Sequence, residues 1–299
     1  DMAAQRPLLA VARDAETARV ECRSYCYTFR DRAAALRRWK AREFLRIGLR
    51  DLVLDVSPHE ITREISHLAQ ACLALACDET GASLRPNADR LSFAVIGMGK
   101  LGGAEMHYAS DADVLFVYEP PDPFEGAAAL AAQWAEQLMA FLNRPTEEGT
   151  VFEVDARLRP HGRNGALAPS LAAYAEYFEN TPGGLAIWER QALTRARYVA
   201  GNPETAAHLL GAAANVAFPV VWQPAWSDEL RHIKHRVETE RAVKSAGAAR
   251  SAQGKGEIYD VKLGRGALSD IEWCAQWLAL RHGARYPALQ TPNTRAQIE

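Results

Sequence analysis

Residues 93–118 read FAVIGMGKLGGAEMHYASDADVLFVY. Residues 93–97 (FAVIG) and 114–118 (VLFVY) are short unbroken apolar runs, the length of strands buried on both faces. Between them Gly97, Gly99 and Gly102 satisfy the bare GxGxxG spacing. A dinucleotide-binding unit, however, needs a full helix after its glycines and an acidic residue about 20 positions further on. Here a second strand arrives within a few residues and opens with Asp111-Ala112-Asp113. A P-loop is excluded as well, because the Walker spacing and its Lys-Ser/Thr ending are missing. What remains is a strand, a glycine turn, a short link and a second strand headed by two carboxylates.

Positions i and i+2 of a strand share a face, so Asp111 and Asp113 are expected to point the same way. Two carboxylates so placed repel each other, and a cation between them keeps both ionised. A small number of hard oxygen ligands suits Mg²⁺, which keeps waters and completes its shell from phosphates. An Asp-x-Asp alone is common on surfaces, but the glycines upstream change its reading. Gly102 and Gly103 let backbone approach a ligand closely and are expected to leave N–H groups free to cradle phosphate. A third acid, Asp155, lies in the alternating stretch 151–158 (VFEVDARL), which predicts a third strand. Period 2 would set Asp155, Arg157 and Arg159 on one face. That face would offer a carboxylate for a metal or a proton and two guanidiniums for phosphate oxygens. The plainer alternative is a local Asp–Arg ladder on an exposed strand.

Elsewhere the pattern is mostly helical. Residues 33–52 (AAALRRWKAREFLRIGLRDL) carry Leu36, Trp39, Phe44, Ile47 and Leu52 at helical spacing with arginines between. Those arginines are expected on a solvated face with their stems lying over apolar surface, rather than at a phosphate. Ser57-Pro58-His59-Glu60 is a helix start with a capping box. Residues 79–90 (ETGASLRPNADR) break the periodicity and mark a boundary. Further helices are expected at 127–142, 170–180, 185–197, 204–214, 227–243 and 267–282, with a mobile polar loop at 244–256. Trp188 is expected in a core rather than as a base-stacking platform. Glu189, Arg195 and Arg197 are candidates to support the site from behind, and Asp270 and Glu272 are either site acids or helix caps.

With 299 residues, 48% of them hydrophobic and 24% charged, the chain can bury a sizeable core. A formal net charge of −2 argues against a dedicated nucleic-acid binder. No stretch approaches the roughly 18 apolar residues of a membrane span. Five cysteines without a CxxC read as reduced thiols in a cytoplasmic protein. The chain starts at Asp1 and stops at Glu299 in mid-pattern, so it is expected to be a segment of a longer protein.

Glycine pair, Asp-x-Asp on a strand and a third Asp on a later strand, in that order, resemble the DNA polymerase β-like nucleotidyltransferase superfamily. The resemblance narrows with GMGKLGGAEMHYASDADVLFVYEP, VFEVDARLRPHGRNGAL, WERQALTRARYVAGN and DVKLGRGALSDIEWCAQWLALRHG. These stretches are similar to the bifunctional glutamine synthetase adenylyltransferase/adenylyl-removing enzymes, and the likeness runs from about residue 30 to 290. Two departures stand out: Val114 follows the acids where leucine is usual, and Ala267 replaces a frequent glycine.

The resemblance implies an α/β (α+β) fold: a small mixed sheet bearing the acids, flanked by helical regions. It divides the chain into a helical region at 1–80, a catalytic core at 81–200 and a helical region at 201–299. It implies ATP as substrate and one or two Mg²⁺ ions held by Asp111, Asp113 and Asp155. Lys100, Gly102, Gly103, Ser110, Arg157, Arg159 and Lys262 would contact phosphate. The reaction implied is transfer of AMP to a tyrosine of glutamine synthetase. VDARLRP, WERQALTRAR and LSDIEW resemble the adenylylating half, whereas the deadenylylating half tends to VDMRLRP and to Arg at the place of Ser269. That second, phosphorolytic half and a non-catalytic nucleotide-sensing module are the alternatives. The family further implies a PII-type regulatory protein and glutamine as effectors, without nucleic acid or membrane.

Overall fold

The computed structural model describes residue 9 and residues 11–122, 124–181, 184–241 and 260–299; the loop expected at 244–256 lies outside them. Three helices open it: α1 (Ala15–Cys26), α2 (Arg32–Leu54) and α3 (Pro58–Ser83). Each begins at a side-chain cap, where Asp14, Asp31 and Ser57 accept the N–H of Thr17, Ala34 and Glu60. α3 runs into the expected boundary at 79–90 and ends within it at Ser83. Gly81 stays helical because it faces an indole: a Cβ there would lie 2.3 Å from Trp134 Cζ2. Trp134 donates its ring N–H to the Cys77 carbonyl at 3.2 Å and stacks on Phe93 at 4.7 Å. The five cysteines are free thiols, four of them buried.

The arginines of α2 differ from expectation. Arg37, Arg46 and Arg50 are buried rather than solvated. Arg37 reaches four carbonyls, those of Ala33, Phe141, Arg144 and Gly149, at 2.6–3.0 Å. Arg46 pairs with Glu43 at 2.7 Å and with Glu64; Arg50 pairs with Glu64 at 3.0 Å and with Glu60. Glu60 is therefore tied to Arg50 as well as standing at the start of α3. Buried guanidiniums survive only when paired and hydrogen-bonded; here Glu60 and Glu64 of α3, Glu43 of α2 and, for Arg37, four carbonyls are the partners.

The sheet follows. β1 (Ser92–Gly97) leads into a one-turn helix, α4 (Gly99–Gly102), and then β2 (Ala112–Glu119). β1 and β2 are antiparallel, which rules out the parallel crossover of a dinucleotide-binding unit. After α5 (Ala127–Asn143) comes β3 (Val154–Asp155), parallel to β2. α6 (Leu171–Asn180) and α7 (Ile187–Leu193) precede β4 (Arg197–Gly201), antiparallel to β1. The order is β3-β2-β1-β4, a small mixed sheet. Both central strands are buried almost throughout, as their unbroken apolar runs require. The helix expected over 185–197 stops at Leu193, and Arg197 starts a strand instead. β-branched and aromatic residues in RYVAG favour the pleated edge of β1 over a further helical turn.

Contacts divide the chain into two compact units. One comprises residues 1–181 and 195–213 and holds α1–α6 and the sheet, with much of α8 (Pro203–Ala217). The other comprises 182–194 and 214–299 and holds α7, α9 (Pro224–Arg236), α10 (Leu268–His282) and α11 (Thr294–Ile298). Its small core joins Ile187, Leu230 and Leu280 to Trp222, Trp226, Trp273 and Trp277. Trp188, expected in a core, is 47% exposed; Ile187 takes the inward position beside it. No described helix is long and apolar enough to cross a membrane.

Glu64 is the hub of the buried ion network, so Glu64→Ala leaves two buried guanidiniums short of charge. Urea unfolding should show a loss of about 3–5 kcal/mol. A loss below about 1 kcal/mol, the size of a surface pair, would contradict the network's role.

Candidate active site

One end of the sheet gathers the residues singled out in the sequence. Asp113 of β2 is the register partner of Asp155 on β3. On the other side Val114 pairs with Gly97, and Gly97 pairs with Arg197. Two adjacent rows at the sheet end thus carry Asp155 and Asp113 in one, and Val114, Gly97 and Arg197 in the next. Asp111, just before β2, is exposed, and Asp113 is half-buried.

The glycine turn leans on Asp113. Met98 N–H donates to the Asp113 carbonyl at 2.8 Å. Gly99 has φ +51°, and a Cβ there would sit 2.6 Å from Asp113 Oδ2, so any side chain would displace the carboxylate. Gly102 has no room either: a Cβ would fall 1.7 Å from the Arg195 carbonyl oxygen. The expectation that the Gly102 and Gly103 amides stand free for phosphate does not hold in this conformation. They donate inside the turn, to Met98 and Gly99 carbonyls at 2.8 and 3.1 Å. The glycines serve close approach. Lys100 is half-buried on this turn.

β3 is shorter than the stretch 151–158 predicted, and Asp155 itself ends it. Its Oδ1 accepts the N–H of Arg157 at 2.9 Å, an Asx turn that bends the chain out of the sheet. Asp155, Arg157 and Arg159 therefore do not line one strand face. Arg157 folds back and binds Asp155 Oδ2 through Nε at 2.6 Å and through Nη2. Arg159 donates to the Ala156 and Gly165 carbonyls at 2.8 and 3.3 Å and fastens the loop. Burial would raise the Asp155 carboxyl, but the hydrogen bonds and charge of Arg157, with Arg163 behind, outweigh it and hold the group below the usual range. Arg157 in turn is pushed up, first by its bonds to Asp155, and feels the charges of Asp113 and Asp111 as well. One guanidinium thus sits in the field of all three acids.

Ser110 closes the link before the acids: its Oγ accepts the His107 N–H, and its own N–H donates to the His107 carbonyl, both at 3.0 Å. Among the described residues no three His, Cys, Asp or Glu side chains form a metal cage on their own. Two or three carboxylates at a sheet end are nonetheless a donor set that suits a cation sharing its shell with phosphates.

Lys262 belongs to the second unit, where it is exposed and its backbone closes a turn with Asp260 and Ser269. Asp270 accepts the Gly266 N–H at 2.8 Å and pairs with Lys234 at 2.5 Å, and Glu189 caps α7 through the Ala186 N–H at 3.0 Å. Sequence reasoning missed Glu105 and Gln70. Glu105 pairs with Arg195 and Gln70 accepts from Arg197 at 2.8 Å, partners 90 and 127 positions away that no local pattern shows.

Comparison with known proteins gives one family. The family model described as glutamate-ammonia ligase adenylyltransferase matches residues 3–212. Bifunctional glutamine synthetase adenylyltransferase/adenylyl-removing enzymes are similar over most of the chain. The Mycobacterium tuberculosis relative is 38% identical over 271 residues, 89% of this chain and 26% of its own length. The Mycobacterium leprae relative is 38% identical over 274 residues, covering 90% and 26%. The Leifsonia xyli relative is 38% identical over 263 residues, covering 88% and 24%. The chain spans about a quarter of the length of these relatives. A family match across more than half of the residues, ending beyond the sheet that carries the three acids, makes this chain a member of the glutamate-ammonia ligase adenylyltransferase family.

Proposed function

We propose that this chain is a Mg²⁺-dependent nucleotidyltransferase domain that moves AMP from ATP to a tyrosine of glutamine synthetase. The observation that carries the reading is the register setting Asp113 beside Asp155 at the sheet end, next to a turn in which Gly99 touches the Asp113 carboxylate. The relatives' names supply the substrate protein and both directions of the reaction. VDARLRP and Ser269 favour the adenylylating direction.

In that reaction the tyrosine oxygen bonds to the α-phosphorus of ATP. The bond from that phosphorus to the bridging oxygen breaks, and pyrophosphate leaves. Asp111, Asp113 and Asp155 would hold one or two Mg²⁺ ions, which when bound neutralise charge on the phosphates. Asp155, kept ionised by Arg157, either joins that set or takes the tyrosine proton. Ser110 and Lys100 would orient the phosphates beside the close-packed turn of Gly102 and Gly103. Arg157 would pass from Asp155 to phosphate oxygens as the site fills. Arg159 is a further phosphate candidate of the same unit. A PII-type protein and glutamine are the proposed effectors, and the free thiols fit the cytoplasm.

The test incubates the chain with glutamine synthetase, Mg²⁺ and α-labelled ATP, beside Asp113→Asn. Label on the synthetase that falls roughly 10³-fold in the variant is expected, the scale of losing several kcal/mol of charge stabilisation. Phosphate-dependent release of ADP from pre-adenylylated synthetase, without labelling, would assign the opposite direction. Neither activity, with Mg²⁺-ATP still bound, would leave a nucleotide-sensing module.

The Asp155–Arg157 pair makes a second prediction. The depressed carboxyl stabilises the fold above the ordinary carboxylate range, and that contribution is lost as pH falls through the depressed value. In Arg157→Ala the burial contribution remains and the guanidinium is gone, so Asp155 should titrate at higher pH than in the parent. Carboxyl ¹³C NMR across an acid titration would read this directly, and an unmoved titration would refute the pairing.

A further inference from the structure

Arg195 and Arg197 are built into the glycine turn beside the acids through several hydrogen bonds each. A helix of one turn has little stability of its own: the Gly99, Lys100 and Leu101 carbonyls of α4 accept the N–H groups of Gly103, Glu105 and Ala104 at 3.1, 2.8 and 3.2 Å, and the turn still needs support from outside itself. Arg197 fills that need with a fork: Nε donates to the Gly102 carbonyl and Nη2 to the Leu101 carbonyl, both at 2.9 Å. Its third nitrogen, Nη1, is held at 2.8 Å by Gln70 Oε1 of α3. Arg195, with 4% of its side chain exposed, donates from Nε to the Gly99 carbonyl at 3.2 Å and pairs with Glu105 just beyond the turn. Its own carbonyl is the atom against which Gly102 is pressed. Cationic donors at the C-terminal end of a helix also complement the dipole there. The opposite side of the turn is Gly99, lying against Asp113 Oδ2.

We infer that Arg195 and Arg197 are positioning residues for nucleotidyl transfer. They clamp the carbonyls of the glycine turn from behind and thereby fix where Asp113 and the Lys100 backbone stand. The inference rests on the reading of this sheet end as the Mg²⁺-ATP site. A lysine at 197 keeps the charge but cannot span two carbonyls and Gln70 at once, because it has one nitrogen where arginine has a planar fork. The turn then gains freedom while the rest of the sheet, buried on both faces, does not.

The experiment compares the parent chain with Arg197→Lys, Arg195→Lys and Gln70→Leu, the last removing only the strut behind Arg197. Three quantities are read: amide hydrogen exchange by segment, thermal midpoint, and Mg²⁺-dependent binding of trinitrophenyl-ATP. Exchange over residues 98–105 should quicken about tenfold in the lysine variants, with β1 and α3 as protected as in the parent. Affinity for the probe should weaken by about tenfold, as small displacements of a bound geometry do. Gln70→Leu should show the same changes at smaller size, and it decides the matter if a lysine variant fails to fold. Binding within roughly twofold of the parent in all variants, with an unchanged turn, would overturn the clamp. So would exchange that quickens evenly through the unit, which marks a general support of the fold. Should the parent not bind the probe with Mg²⁺, the Mg²⁺-ATP reading fails. Exchange confined to 98–105 would then still uphold the clamp on the turn, and an unchanged turn would overturn it.

Discussion

A side chain at residue 102 would have to share space with the Arg195 carbonyl, 1.7 Å from where its Cβ would lie, and with the Gly97 carbonyl at 2.7 Å. That contact lets the chain turn back within one helical turn of β1. The link over residues 98–111 brings β2 back antiparallel to β1, and that register sets Asp113 opposite Met98, the residue after β1. β3 then needs only two paired residues to bring Asp155 alongside. Gly99 completes the arrangement by taking φ +51° beneath the Asp113 carboxylate. The location of the acids is thus a consequence of close backbone packing at one glycine, with attraction between the acids playing no part.

Charge is handled in two contrasting ways. Among α2 and α3, Arg46 and Arg50 meet Glu43, Glu60 and Glu64 inside the fold, and Arg37 caps four carbonyls. Such a network is self-contained and has nothing to give a ligand. At the sheet end three carboxylates share the field of Arg157, whose own side chain is 61% exposed. Arg157 is bound to Asp155 there, with Arg163 also acting on that carboxylate. On the proposed reading such a site would be completed from outside, by a cation and the phosphates that come with it.

The two central strands, the glycine turn and the Asp-x-Asp were legible because they depend on neighbours in sequence: unbroken apolar runs, paired glycines, acids two apart. The ends of elements were less so. Asp155 looks like the middle of an alternating strand, but its side chain captures the Arg157 N–H and stops the strand, a competition that periodicity does not register. Arg37, Arg46 and Arg50 of α2 have the spacing of a solvated face, and glutamates of α3 together with carbonyls more than a hundred positions away decide that they are buried. Arg197 falls within a helical-looking run, and the edge of β1 draws it into a strand. In each case the deciding partner is either a side chain competing with the backbone or a residue far along the chain.

α3 has a bearing on how the protein can be divided. Its Ser66 Oγ accepts the buried N–H of Met106 at 2.9 Å, and its Gln70 holds Arg197. Met106 and Arg197 flank the acids on the link and on the sheet. A recombinant fragment trimmed to begin at β1 would keep every carboxylate and every glycine of the site, and would lose both struts along with the indole contact at Gly81. The smallest piece of this chain that keeps the candidate site supported is therefore set by a helix that contributes no acid or phosphate candidate to it, and truncation boundaries drawn around the sheet alone would fall inside the site's own scaffolding.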